Sequence, residues 1–565
     1  MACAFLAALN VAVWGWSVRN GFVFDDLSNI LRNTWIKDWA LLPQAFLHHA
    51  AGFDPAFSTS FYRPMMHVLY AVVYAVAGAE PWAYHLLNVL FHLGATLGVY
   101  TLCRTIIGRW GQPARHPFTP LIAATLFAIH PIHTEPVLWI AGITDLSYAA
   151  FGVLALLAYL QGFSRARFSA AAGVLLLIAL LCKETGAVIL LAMAVFEWIE
   201  RGHSNSWTPR AAAIRLAPAA LAFAAYLGLR WSALGSFAPS VAEHARGIPT
   251  LAAAASGLFA RYVAALVAPV RLTVAHVVDL DAGFSDPMVL AGLLAGASVA
   301  AAGYYGRRSA AVVLPLAFAV LPILPVLYIP SIEGGGSVFG ERYLYLSVLG
   351  VGLGAGYALE EGRRRLRWGL AIALAVMAVS VGWGVAAAAL RTRAWSSSIH
   401  LWTDAVAKSP DSAAAHAGLC FALYDAGRIP ESLGACAQAL AIEPARVDAR
   451  INYATALLAV GRARQARSEL DRVLAIRPNS PRALVNRGLA CMMLGQPDEA
   501  MSAYRRALEL DPDDADAHNV MGVALVRSGL KARALEHFER AVRLAPENPE
   551  YRDNLRIARA GGSRD

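Results

Sequence analysis

The sequence predicts an all-α protein in two parts, a polytopic bundle of membrane helices followed by a helical solenoid. Two observations predict it. The 565 residues are 58% hydrophobic with a mean hydropathy of +0.49, against roughly 45–50% apolar content in ordinary globular domains. The apolar residues gather in runs close to the length of a bilayer span. The last third carries instead a regular spacing of proline and glycine.

That spacing is the sharpest signal. Pro410, Pro444, Pro478, Pro512 and Pro546 recur every 34 residues, as do Gly427, Gly461, Gly495 and Gly529. A 34-residue period is that of tetratricopeptide repeats, each a helical hairpin. Cys420, Ala454, Gly488 and Gly522 take the small position where the two helices of a hairpin touch, and Ala466, Ala500 and Ala534 take a second. Leu470, Tyr504 and Phe538 supply large residues, Ala439, Ala507 and Ala541 small ones, and the prolines close each second helix. Four repeats are expected over 413–546, with a half repeat around Trp402 and a closing helix near Tyr551 to Ala558, so that the solenoid occupies 393–565. Such solenoids offer a concave surface to extended peptides; a spacer or oligomerisation arm is the plainer alternative.

Residues 1–392 are read as the membrane domain, with eleven spans near 2–18, 82–103, 118–130, 146–162, 169–182, 186–199, 211–230, 288–304, 310–328, 343–359 and 368–390. The first run, Met1 to Val18, lacks a basic n-region and a small-residue cleavage site, so it is read as a retained span. The basic connections are Arg104, Arg109 and Arg115; Arg165 and Arg167; Arg201 and Arg210; Arg307 and Arg308; and Arg363, Arg364, Arg365 and Arg367. A cytoplasmic N-terminus with eleven spans puts all of them inside, and the solenoid outside. The count requires two interrupted apolar stretches, Tyr62 to Gly78 and Leu251 to Val274, to lie on the outer surface without crossing. Lys plus Arg exceed Asp plus Glu by 48 to 39, and this excess orients helices; no nucleic-acid partner is expected. Six cysteines form no disulfide framework and no CxxC pair. Cys420 and Cys436 lie on the two helices of one repeat and could bridge in an oxidising space, but small buried core residues is the reading adopted.

On this topology one face collects ionisable residues at span ends: Asp25 and Asp26 in the external loop 19–81, Arg63 with Pro64, His130 and His133 with Glu135, Asp145, Lys183 with Glu184, and Glu341 with Arg342. Charges beside apolar spans are costly at membrane depth and mark function. Taken singly they have plainer readings: Asp25-Asp26 as a loop pair or helix cap, Lys183-Glu184 as a structural ion pair. His85, Asn88 and His92 share one helical face and are read as hydrogen bonding between helices. The string His130-Pro131-Ile132-His133-Thr134-Glu135 leaves a divalent metal open, since imidazole and carboxylate are reasonable ligands, although Pro131 disfavours a helix with both histidines on one face. No Gly-rich phosphate loop, Rossmann fingerprint or GxSxG elbow accompanies these groups. Paired carboxylates and cations suit a general base acting on a hydroxyl beside a held phosphate leaving group, as in glycosyl transfer from a lipid phosphate.

At this point a resemblance emerges. Phe24-Asp25-Asp26, Tyr62-Arg63-Pro64-Met65, His130-Pro131-Ile132-His133-Thr134-Glu135 followed by Asp145, Lys183-Glu184-Thr185-Gly186 and Glu341-Arg342-Tyr343-Leu344-Tyr345 resemble, in that order, the motifs of the transmembrane and tetratricopeptide-repeat O-mannosyltransferases. The resemblance implies a membrane bundle of the GT-C glycosyltransferase fold and a donor carrying a hexose, such as mannose, on a polyprenyl or dolichyl phosphate. It implies that Asp25 or Asp26 is the catalytic base toward a Ser or Thr hydroxyl, with inversion at the sugar C1. Arg63, Lys183 and Arg342 are then the candidates for the donor phosphate, supported by His130, His133, Glu135, Asp145, Glu184, Glu341 and Tyr343, with Glu341 the neighbour that supports Arg342. No resident cofactor is expected beyond the metal left open. The solenoid would present the acceptor protein. About four repeats are fewer than in long animal members, which argues against a cadherin-type acceptor. The Ala- and Arg-rich composition suggests a bacterial inner-membrane chain with a periplasmic solenoid. The rivals are a transferase acting on a glycan or lipid, a membrane-anchored scaffold for envelope proteins, and, more weakly, a transporter, whose charges would sit mid-membrane.

Overall fold

The computed structural model describes residues 1–53, 59–237, 247–331, 338–546 and 548–560, and the regular structure among them is helical throughout. The chain divides into two compact units, one ending at Leu401 and one beginning at Trp402.

The first unit contains α1 (Ala2–Trp14), α2 (Pro64–Ala77), α3 (Pro81–Trp110), α4 (Thr119–Ile129), α5 (Thr134–Leu138), α6 (Ile143–Gly162), α7 (Arg167–Cys182), α8 (Ala187–His203), α9 (Pro209–Leu234), α10 (Ile248–Val267), α11 (Pro287–Tyr305), α12 (Ala310–Val320), α13 (Ser347–Arg365) and α14 (Gly369–Ala394). Among the described residues, eight segments are long and apolar enough to cross a bilayer, or nine if α4 and Pro131–Leu138, bent by 44°, form one span. The chain is a multi-pass membrane protein. The span assignment differs in detail from the sequence reading. Leu251 to Val274, expected to lie on the surface, is in part the 20-residue apolar helix α10, long enough to cross. The spans expected at 186–199 and 343–359 are helices α8 and α13, whose C-terminal halves carry Glu197 and Glu200, and Glu360 and Glu361. These carboxylates staple helix ends. Glu200 accepts from Arg109 and from the Trp110 indole, Glu197 from Arg215, Tyr159 and Trp207, and Glu361 from Arg115.

The middle of the bundle is α6, most of whose residues are buried, whereas α11 and α14 are largely exposed and turn Leu290, Leu294, Leu374 and Val379 outward, as lipid-facing helices do. Polar residues inside the bundle are tied across helices. Asn88 on α3 donates to the Trp139 carbonyl at 2.7 Å, His92 shares 2.7 Å with the Tyr345 hydroxyl, and His85 lies 3.4 Å from the Gly21 carbonyl. Of the stripe read as interhelical hydrogen bonding, His92 reaches the Ala128 carbonyl of α4 at 3.1 Å, while Asn88 and His85 bond to the turns at Trp139 and Gly21.

The second unit is reached through α15 (Ser398–Lys408) and contains the hairpins α16 (Ala413–Asp425) with α17 (Ile429–Ile442), α18 (Val447–Ala459) with α19 (Ala463–Ile476), α20 (Pro481–Met493) with α21 (Pro497–Leu510), and α22 (Ala515–Arg527) with α23 (Lys531–Leu544), closed by α24 (Pro549–Ala560). The recurring glycines sit at φ 74 to 77° after each first helix, the left-handed geometry that ends a helix in a Schellman turn: Arg428 N returns to the Leu423 carbonyl across Gly427. At Gly488 and Gly522 a Cβ would fall on the Tyr504 and Phe538 rings, so small residue and large ring are one packing unit.

Cys420 and Cys436 correct the sequence reading. They are joined in a disulfide, their Cα atoms 5.1 Å apart, because the small positions of α16 and α17 face each other. With a separation of 16 residues, loop-closure entropy gives such a bridge a worth of about 3 kcal/mol. Cys436→Ala should therefore speed amide hydrogen exchange in α16 and α17 of the intact protein and leave α20 to α23 unchanged; equal exchange with and without reductant would show that the bridge contributes nothing.

Candidate functional site

The segment between α1 and α2 contains a strained residue. Phe24 holds φ 57°, a left-handed conformation that is unusual for a bulky side chain and concentrates at functional sites. The turn it forces presents two adjacent carboxylates to different surroundings. Asp26 is fully buried, with Oδ2 accepting from Val23 N and Oδ1 from Ala141 N, each at 3.1 Å. Both oxygens are used to fasten the loop to the segment before α6. Asp25 is partly exposed, and its Oδ1 accepts from the Trp139 indole at 3.0 Å. Burial pushes the Asp25 carboxyl up to about 6 against the opposing pull of Arg342, the Trp139 N–H and, more weakly, the Asn29 side chain. Burial, and then the Asp25 charge, push Asp26 upward too.

Three cations form the adjoining cluster, each on its own carboxylate, and Arg342 is the one that acts on Asp25. Arg63, the residue before α2, makes a two-pronged contact to Glu184, 2.5 and 3.1 Å. Lys183, just past α7, reaches Asp145 at 2.5 Å, and both side chains are 2% exposed. Arg342 binds Glu135 at 2.5 Å through Nη1 and at 2.9 Å through its main-chain N–H. Lys183 and Arg342 both lie over the Tyr343 ring, 5.0 and 4.8 Å from its centre, and Arg342 lies 5.2 Å from that of Trp139. The groups act on one another. Burial and the charges of Arg63 and Arg342 bring Lys183 down to about 8 although Asp145 opposes this; Glu184, which burial alone would raise, is held at about 2 by Arg63 and Lys183. The result is a polar cluster of Asp25, Arg63, Glu135, Asp145, Lys183, Glu184, Arg342 and Tyr343, drawn from separate stretches of the chain.

Three expected members stand apart. Glu341 does not support Arg342: fully buried, it accepts from Thr273 N at 2.5 Å and His276 at 3.2 Å and faces Arg391 at 3.6 Å. Adjacent residues of a 3-10 turn (Glu341–Leu344) project about 120° apart, so one faces the cluster and the other the strap at 272–276. His130 caps its own turn and points at the Leu266 carbonyl, 3.2 Å away. His133 is sealed among Phe127, His92 and Tyr345 and touches the Tyr345 carbonyl at 3.2 Å. Among the described residues no three of His, Cys, Asp or Glu are grouped as metal ligands. Lys183 and Glu184, paired with each other in the plainest sequence reading, pair in opposite directions. Trp139, the indole on Asp25, was not singled out by sequence; its position four residues after Glu135 was the available signal.

A tetratricopeptide-repeat family profile matches residues 453–515 and 494–549. The chain is 32% identical to the Drosophila melanogaster protein O-mannosyl-transferase Tmtc2 over 215 residues, 36% of this chain and 22% of the fly protein. It is 31% identical to the Homo sapiens protein O-mannosyl-transferase TMTC4 over 207 residues, 34% of this chain and 28% of the human one. The matches thus span about a quarter of those relatives' length. Among solved structures, a thermophilic tetratricopeptide-repeat protein of Thermus thermophilus aligns at TM-score 0.28 and 21% identity, over 32% of this chain and 96% of that one.

Proposed function

We propose that this homologue of the transmembrane and tetratricopeptide-repeat O-mannosyltransferases transfers a hexose, such as mannose, from a polyprenyl-phosphate donor to Ser or Thr hydroxyls of an acceptor protein. The observation that carries the proposal is Asp25: a partly exposed carboxylate with Oδ1 held by an indole and within the pull of Arg342, which shares the Tyr343 ring with Lys183. Its other oxygen takes the proton of the acceptor hydroxyl. The acceptor oxygen bonds to the sugar C1 on the face opposite the phosphate, and the C1–O bond breaks with its electron pair on the lipid phosphate. Arg342, Lys183 and Arg63 stabilise that growing charge. Only one of the three N–H bonds of Lys183 is committed to Asp145, so it can serve both partners. Asp26 holds the loop.

On the eleven-span reading the basic connections favour a cytoplasmic N-terminus and a solenoid on the opposite side; the Cys420–Cys436 disulfide supports the same sidedness, because disulfides persist in oxidising compartments. In a bacterial cell that is the periplasmic face of the inner membrane. The solenoid recruits the acceptor.

The test supplies the purified protein with radiolabelled mannose on polyprenyl phosphate and a Ser/Thr-rich envelope protein. Label in protein, released by alkaline β-elimination, is expected. Label in lipid or glycan alone would redirect the acceptor, and no transfer from any donor of a panel would leave the scaffold reading.

A further inference from the structure

Both halves of the proposed chemistry are held by one helical turn. On α5, Glu135 grips Arg342 through both carboxylate oxygens, and four residues on, at the end of the same turn, Trp139 donates its indole N–H to Asp25. Residues four apart on a helix stand on one face, so the base and a phosphate-facing cation are measured off the same short element. That element is fixed in turn. Asn88 of α3 donates to the Trp139 carbonyl at 2.7 Å, Trp139 N returns to the Glu135 carbonyl at 3.1 Å, and Gly142 lies so close that a Cβ there would collide with the Pro136 backbone. Trp139 itself is 8% exposed and packs near Phe24 and Trp395, ring centres 5.8 and 6.3 Å away.

We infer that Trp139 is a positioning residue for the transfer: its indole N–H fixes Asp25 Oδ1, leaving Oδ2 to receive the acceptor proton, and with Glu135 it sets the spacing between base and leaving-group cation. The inference rests on the reading of Asp25 as base. Of the other groups facing Asp25, Arg342 pulls more strongly than the indole but is engaged by Glu135, and the rest are weaker or engaged elsewhere. The Asn29 side chain pulls on the carboxylate less than the indole does. Asp26 is occupied by Val23 and Ala141, Arg342 acts across the Trp139 ring, and the Tyr70 hydroxyl, which feels both carboxylates, donates to the Ile140 carbonyl at 3.3 Å.

Trp139→Phe keeps an aromatic ring in place and removes the N–H together with part of the indole's bulk. In the full-length protein, assayed with polyprenyl-phosphate-[3H]mannose, it should lower kcat by up to roughly 100-fold, the cost of a misplaced reacting group. It should also shift the acid limb of the pH profile to higher pH, because a donor that favours the ionised Asp25 has gone, while the donor KM stays near wild type. Glu135→Gln, which releases Arg342, should act mainly on the donor KM and raise it. Wild-type kcat and an unmoved limb for Trp139→Phe, in a preparation where Asp25→Asn is inactive, would overturn the inference alone; a fully active Asp25→Asn would overturn the reading of the base. A measurement needing no Trp139 variant is the indole 15N–1H resonance of Trp139. It should titrate with Asp25 in wild type and be pH-independent in Asp25→Asn; the same titration in both would refute the contact.

Discussion

Asp25→Asn is expected to abolish transfer, by about 10²- to 10⁴-fold, the usual contribution of a positioned general base, in a protein that still folds. The amide oxygen can keep the Trp139 bond at Oδ1, with the amide group turned toward the side from which the acceptor would approach. The wild-type rate should fall as pH drops through about 6, since protonation removes the lone pair that accepts the hydroxyl proton and burial has lifted Asp25 to that range. Asp26→Asn should fail differently. Its two oxygens both face main-chain N–H groups, of Val23 and Ala141, so one new N–H must confront a buried donor, at a cost of about 1–3 kcal/mol. Reduced thermal stability with residual transfer distinguishes it from a stable, inactive Asp25→Asn. Equal stability and equal activity of both variants would remove either carboxylate from the chemistry.

The second large effect is expected at Lys183. Lys183→Met leaves Asp145 charged and 2% exposed with its partner gone, a change that destabilises buried pairs by about 3–5 kcal/mol. Adding Asp145→Leu removes the stranded charge, so the double variant should regain most of the lost melting temperature. It should not regain transfer, because the phosphate has lost a cation. Thermal melts together with transfer rates separate the two roles. A double variant that recovers both would make the pair a structural staple, like Glu200 with Arg109, and nothing more.

The repeats were legible because each hairpin spends the same residues at the same offsets. A proline at 444 and a glycine at 461 are demanded by local geometry, a helix stop and a left-handed turn, that no distant contact alters. The membrane spans were less so. Hydropathy marks apolar runs, but Glu197 and Glu200 at the end of α8 are held by Arg215 and Arg109 from other helices, and no window along the chain reports such pairing. The site shows the same division. Ionisable residues at span ends stand out by cost alone, which is how Asp25, Arg63, Asp145, Lys183 and Arg342 were found. Their pairing did not stand out: Lys183 passes over its neighbour Glu184 for Asp145, and Glu341 turns its back on Arg342 for Thr273 and His276. The histidines at 130 and 133, which left a metal open in the sequence, make packing and hydrogen-bonding contacts. Trp139 stayed hidden because tryptophan is common at membrane interfaces, and only the fold shows its N–H on a carboxylate.

The most direct measurement is intact-mass and peptide-level mass spectrometry of an acceptor protein incubated, in reconstituted vesicles, with polyprenyl-phosphate mannose and either wild-type protein or Asp25→Asn. Hexose on Ser or Thr residues with wild type, absent with Asp25→Asn, is the predicted result. Equal hexose addition by the variant would contradict the assignment of the base, and no addition by the wild type with any lipid-phosphate sugar would contradict the transferase itself.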